Sequence, residues 1–272
     1  MSNATPPPAP PASACIGVFD SGVGGLSVLR RLQERLPGVP LLYLADSAYA
    51  PYGGRSAEDI TARCMRLTQH LVDQGAALIV VACNTATTAA IGALRARWPQ
   101  LAFVGVEPGI KPAVARSARR RIAVMATRAT IDSLRVRQLV DLHAGDAHVH
   151  LQACPGLVDV IEQGRLEGDE LRALLRPFCD AMQAAGVDTV VLGCTHYPFV
   201  ADTIQALLGP EVTLVDTADA VAQRAADVWT SLGMAGASGG LRLQTTGNPA
   251  LLGRMARRWL GTATPAEAIT LA

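Results

Sequence analysis

Two cysteines stand where acid–base chemistry could be done. Cys83 closes the apolar run of IVVACNT (79–85), and Cys194 closes that of VVLGCTH (190–196). Each run is short, continuous and rich in β-branched residues, the pattern of a parallel strand buried on both faces. Each thiol is therefore predicted at a strand's C-terminal end. TATTAAIGAL follows Cys83 and Asn84, a good helix sequence with a threonine near its start. Cys83 then lies between a strand end and a helix N-terminus. That is the crevice where open α/β sheets bind ligands, and the helix dipole there favours thiolate over thiol. Two thiols facing one small molecule from opposite sides suit proton exchange at a carbon stereocentre. One removes the α-proton, the other returns a proton to the opposite face, and the roles reverse for the mirror image. Asp20, after the first predicted strand, could tune or deprotonate Cys83, and His196 could do the same for Cys194. Taken alone, Cys83 could equally be a buried structural thiol; the paired placement points to function.

Other chemistries fit less well. The common route to α-proton exchange uses pyridoxal phosphate on a lysine. Lys111, the only lysine among 24 Lys and Arg residues, precedes a proline at a predicted turn or helix start, so no cofactor is implied. The turn DSGVGG (20–25) lacks the third glycine of the dinucleotide fingerprint, and Asp20 would set negative charge where a pyrophosphate must sit. It reads as a tight strand-to-helix turn that lets a small substrate approach. His148, His150 and Cys154 share a strand face at spacings that could suit zinc, but a half-exposed strand face is the simpler reading, and no metal is expected. Cys15, Cys64 and Cys179 read as packing residues.

The thiols must be positioned by a regular alternation of strand and helix. Strands are expected at 15–20, 39–46, the two cysteine runs, 101–106, 121–127, 148–154, 212–216 and 241–246. Helices are expected at 26–36, 57–74, 84–98, 110–117, 130–143, 157–163, 169–185 (interrupted at Pro177), 218–232 and 249–260. Ser56 can cap the second helix. The alternation predicts an α/β fold with mainly parallel sheets. IGVFDSG (16–22) matches IAVMATR (122–128), and the two cysteine strands match each other. Any two parallel strands look somewhat alike, but the matching cysteines and polar turns favour an ancient duplication into two similar doubly wound domains with the active site in the cleft between them. The tail, 1–14, is Pro-rich and reads as disordered. Net charge is +1 and Arg119-Arg120-Arg121 is the longest basic run, a solvated loop rather than a nucleic-acid patch. There is no disulfide framework, signal peptide or apolar run of membrane-spanning length. These features predict a cytoplasmic protein with neither membrane nor nucleic acid as partner.

The motifs IGVFDSGVGGLSVLR (16–30), YLADSAYAPYGGRS (43–56), VVACNTATTAA (80–90), GVEPGIKPA (105–113), LGCTHYPF (192–199) and TTGNP (245–249) resemble those of the glutamate racemases. These are cofactor-independent two-cysteine enzymes of the aspartate/glutamate racemase superfamily. The resemblance covers nearly everything after the tail. It implies Cys83 and Cys194 as the acid/base pair, Asp20 and His196 as their assistants, and Asp46 and Glu162 as auxiliary acids. It also implies Asp20, Ser21, Tyr52, Gly53, Asn84, Thr85, Thr195 and His196 as substrate contacts. By the same resemblance, one domain comprises 15–108 plus 217–272 and the other 109–216. The substrate is glutamate, supplied as the D-enantiomer for peptidoglycan in the cell wall, and the assembly is a homodimer. Three departures stand out. Ala126 stands where the family usually has a glycine before Thr127. ACPGLVDVIEQG (153–164) is a loose version of the family's stretch around its glutamate, and ADSAYA (45–50) lacks the basic residue often found near Asp46. Two other functions stay open: racemisation of aspartate or another small amino acid, and a non-catalytic two-lobed binding or regulatory protein.

Overall fold

In the computed structural model, residues 14–234 and 238–271 are described. The predicted disorder of the tail concerns residues outside that range, apart from Ala14, which is fully buried against the core. The strands are β1 (Cys15–Asp20), β2 (Leu41–Ala45), β3 (Ala76–Val81), β4 (Ala102–Gly105), β5 (Arg121–Ala126), β6 (His148–Ala153), β7 (Thr189–Leu192), β8 (Thr213–Val215), β9 (Leu241–Thr245) and β10 (Ala266–Ala268). They form two sheets, β10-β9-β2-β1-β3-β4 and β6-β5-β7-β8. All described strand pairs are parallel. In both sheets the strand that comes first in the chain is flanked by the second on one side and the third on the other. This repeated β2-β1-β3-β4 and β6-β5-β7-β8 winding gives two similar doubly wound units.

The chain leaves the first sheet after β4 and returns to it at β9. Helix Ala218–Ser231 leads that return and packs on helix Leu26–Arg35. Leu78, Ile79, Val80 and Val81 of β3 are fully buried, as a strand covered on both faces must be, each such aliphatic side chain being worth about 1.5–3 kcal/mol of burial. One apolar cluster runs from Leu26, Leu29 and Tyr43 of the first unit through Ile161, Tyr197 and Phe199 of the second. The units therefore share a core. Among the described residues no helix is long and apolar enough to cross a membrane.

Several elements differ from expectation. The helix expected over 130–143 is two, Arg128–Ile131 and Leu134–His143. Ser133 adopts an extended backbone between them and its hydroxyl accepts from Val136 N, starting a new helix. Helix Asp169–Ala184 is not interrupted but runs through Pro177. Ala173, whose carbonyl loses its partner there, lies on the exposed face and can bond to water. Helix Ala201–Leu208 and strand β10 were not anticipated. The AEA of β10 is an edge strand without the apolar run that marks a buried one.

Candidate active site

Strand register sets the site. Asp20 pairs with Ala45 and Phe19 with Val81, so the ends of β1, β2 and β3 deliver Asp20, Asp46 and Cys83 to one rim. In the second sheet Met125 pairs with Leu192, so Thr127 and Cys194 leave β5 and β7 side by side. Each thiol belongs to a strand beside the sheet's first strand, where the winding reverses and side connections leave a crevice.

Cys83 is itself the cap of helix Asn84–Arg97. Its backbone is extended, and Sγ accepts from Ala86 N at 3.4 Å. The thiol, 5% exposed, donates to Ser21 Oγ at 3.8 Å. Burial pushes this thiol far up, and the Asp20 charge adds to it against the opposing Ala86 and Ser21 bonds. The helix dipole was expected to favour thiolate. A helix end contributes about 0.3–1 kcal/mol, whereas full burial can move an ionisation by several pKa units, so burial wins and the resting group is a thiol.

The Cys194 surroundings are different. Its Sγ lies 3.6 Å from His196 Nδ1, and His196 Nε2 lies 2.5 Å from Glu162 Oε1. That same oxygen accepts from Val23 N at 2.7 Å. His196 is buried. Burial alone would lower its pKa, but bonds to Cys194 and Glu162 overcome this and hold it well above the ordinary 6.5. Glu162 enters here from helix Leu157–Glu162, and the loose motif around it does not prevent the contact.

The glycine turn serves this meeting of the two units. A Cβ on Gly22 would lie 1.9 Å from Glu162 Oε1, and one on Gly24 would lie 2.3 Å from His196 Nδ1. The space expected to admit a substrate is filled by side chains of the other unit. Asp20 spans the same junction. Its Oδ1 accepts from Gly22 N at 2.8 Å and Ser21 Oγ at 3.2 Å, and its Oδ2 accepts from Thr195 Oγ1 at 2.8 Å. Burial raises the Asp20 carboxyl to about 6, although the His196 charge and the Gly22 and Thr195 donors oppose it.

Two further groups surround the thiols. Asp46 is fully buried and accepts from Arg63 Nε at 2.8 Å and Nη2 at 2.7 Å, from Tyr52 Oη at 2.6 Å and from Thr246 Oγ1 at 2.8 Å. The basic residue missing from 45–50 is thus supplied by helix Ala57–Asp73. Across the junction, Thr85 Oγ1 lies 2.9 Å from Thr127 Oγ1 and 3.1 Å from Thr130 Oγ1, and Gly53 would meet Thr127 at 3.0 Å if it carried a Cβ. Asn84 is buried, and its Nδ2 has no hydrogen-bond partner among the described residues. Those residues also bring no three His, Cys, Asp or Glu side chains together as a metal-ligand set, and His150 pairs instead with Gln152.

Known proteins resemble this chain in sequence and fold. The family model described as Asp/Glu/Hydantoin racemase matches residues 16–225. The chain belongs to the Asp/Glu/hydantoin racemase family. A glutamate racemase of Ectopseudomonas mendocina is 49% identical over 213 residues, covering 78% of this chain and 81% of that protein. A glutamate racemase isoform of Bacillus anthracis superposes with a TM-score of 0.84 at 29% identity, covering 96% of this chain and 99% of the other. The Escherichia coli glutamate racemase, solved with L-glutamate and the activator UDP-MurNAc-ala, gives a TM-score of 0.82 at 29% identity over 96% of this chain and 100% of that one.

In this racemase-family chain, Cys83, Ser21, Asp20, Thr195, Cys194, His196 and Glu162 lie in neighbouring hydrogen-bonded groups at the junction. Asp46 and Tyr52 form a separate cluster with Arg63 and Thr246. Thr127, Thr130, Arg63 and Thr246 were not singled out from sequence. Thr127 could have been: in the match of 16–22 with 122–128 it stands opposite Ser21.

Proposed function

We propose that this chain interconverts L- and D-glutamate by moving a proton at Cα between two cysteines, without a cofactor. The observation that carries the reading is that each thiol has its own proton partner: Ser21 and Asp20 serve Cys83, while His196 and Glu162 serve Cys194. One cysteine, as thiolate, takes the α-proton; the other, as thiol, supplies one to the opposite face. The carbanion between them needs fixed donors. The unpartnered Nδ2 of Asn84 and the hydroxyls of Thr85, Thr127 and Thr130 are available for that charge and for the substrate carboxylates. Ser21, Tyr52, Gly53, Thr195 and His196 complete the binding surface. Asp46 holds the Tyr52 turn through its bond to the phenol. Lys111 is exposed near the start of helix Ile110–Arg116, poorly placed for Schiff-base chemistry at the thiols. The 49% identical relative is a glutamate racemase, which supports glutamate as substrate and D-glutamate for peptidoglycan as product. The domains are 15–108 with 217–272 and 109–216, and the working form is a cytoplasmic homodimer.

The test is proton NMR of L-glutamate in D2O with reduced, folded protein and no added cofactor. The α-proton signal should disappear together with optical activity. An unchanged α-proton would overturn glutamate racemisation, and the same assay on aspartate would then show whether another small amino acid takes its place.

A further inference from the structure

Among the described residues, the Asp20 carboxylate is held by Gly22 N, Ser21 Oγ and Thr195 Oγ1, and Cys83 makes no hydrogen bond to it. The Cys83 thiol reaches Ser21 Oγ instead. Ser21 thus accepts from the thiol and donates to the carboxylate, forming a chain from Cys83 Sγ through Ser21 Oγ to Asp20 Oδ1. We infer that Ser21 is a catalytic residue of the racemisation proposed above, on which this inference rests: its hydroxyl relays the proton between Cys83 and Asp20.

The step balances. The S–H bond of Cys83 breaks as its proton bonds to Ser21 Oγ. Ser21's own O–H bond breaks as that proton passes to Asp20 Oδ1. A thiolate and a carboxylic acid result, Ser21 is unchanged, and the total charge is the same. The Ala86 N–H at 3.4 Å already points at the sulfur that becomes negative. Thr195 holds the other Asp20 oxygen from the opposite unit, so the acceptor end of the relay is fixed when the two units meet. The raised Asp20 pKa of about 6 makes it a better proton acceptor than an ordinary carboxylate. A serine that only contacted substrate would have no need of bonds to both the thiol and the carboxylate.

The experiment compares wild type with Ser21→Ala, Ser21→Thr and Asp20→Asn, using α-deuterated L- and D-glutamate. Ser21→Ala should lower kcat/KM by about 10²-fold, the scale of one general acid–base contribution. Its isotope effect should rise for the enantiomer whose proton Cys83 removes and fall for the other, because the Cys83 step then limits both directions. Ser21→Thr, which keeps the hydroxyl, should recover most of the loss. Asp20→Asn should separate ionisation from transfer. With the like charge gone, Cys83 should react faster with iodoacetamide, read by peptide mass spectrometry, while racemisation falls. Activity of Ser21→Ala within about twofold of wild type would overturn the relay. So would a loss confined to KM with both isotope effects unchanged, which would mark a substrate contact alone. If wild type exchanges no α-proton of glutamate, the proposed function fails and substrate-free labelling decides the relay separately. Slower Cys83 labelling in Ser21→Ala that disappears when the same change is made in the Asp20→Asn background supports it; no slowing, or the same slowing in both backgrounds, overturns it.

Discussion

The two cysteine sites end strands of the same form and sit at the same place in two similar sheets, yet their surroundings differ. Cys83 caps an α-helix and reaches a carboxylate through a hydroxyl. Cys194 precedes only the short 3-10 turn Tyr197–Val200 and meets an imidazole directly. Beside Cys83 the nearest ionisable partner is an acid, which makes removal of the thiol proton harder. Beside Cys194 it is a histidine that Glu162 helps to hold protonated. Reversible exchange needs one sulfur with a proton and one without. The repeated scaffold presents both sulfurs with different polar neighbours, and in the proposed reaction that difference would distinguish them.

Removing either sulfur breaks this division most completely. Cys83→Ala and Cys194→Ala should each lower α-proton exchange by at least ~10³-fold, with the double variant no worse, because the thiols act as one unit. Circular dichroism should be unchanged, since the void left by one sulfur costs about 1 kcal/mol. An active Cys83→Ala enzyme would end the two-thiol mechanism. On the Cys194 side, Glu162→Gln should cost about 10–10²-fold in kcat/KM by releasing the imidazole. His196 has a folded pKa above its unfolded value of about 6.5, so its contribution to stability is full below that value and is lost as pH rises through the folded one. Urea unfolding should therefore find Glu162→Gln destabilised near pH 6, with the gap closing in alkali. A pH-independent gap would show that Glu162 stabilises the fold without acting on the imidazole charge.

Asp20 sharpens the contrast because its effects on stability and activity oppose each other. Its folded pKa of about 6 exceeds the ordinary 3.8. Its favourable contribution is therefore complete below about 3.8 and lost once pH passes about 6, a cost of ~3 kcal/mol at neutral pH. Asp20→Asn should gain on wild type by up to that amount between about pH 4 and 7 in urea melts, while losing activity. Wild-type kcat/KM should rise with pH through about 6 as Asp20 loses its proton. A stability difference that is the same at both pH values would show that the buried carboxyl carries no such cost.

The strands that carry the thiols were legible because a parallel strand buried on both faces leaves an uninterrupted apolar run, and a cysteine at its end has few other roles to play. The break at Ser133 was legible in principle, since serine before an apolar helix is a cap signal. What the sequence did not disclose depends on contacts between distant segments. Glu162 looks like a surface acid within its own helix, and only the approach of Val23 and His196 places it in the site. The glycines of 22–25 read as a turn for ligand, whereas their missing side chains admit Glu162 and His196.

The smallest expected effect concerns Asp46, which the family resemblance placed with the acids and whose carboxylate accepts from Arg63, Tyr52 and Thr246. Both its oxygens are engaged, two bonds coming from the Arg63 guanidinium. Its remaining bonds tie the Tyr52 turn to the Thr246 end of β9. Thr246→Val removes one donor and leaves the ion pair, a change of about 1 kcal/mol. KM for glutamate should rise about threefold, with kcat and both α-deuterium isotope effects unchanged, because binding is disturbed and proton transfer is not. A fall in kcat of about tenfold at constant KM would return Asp46 to the chemistry. The distinction matters for the comparison of the thiols. If Asp46 only positions, the asymmetry between the sulfurs rests on Asp20 and Ser21 on one side and His196 and Glu162 on the other.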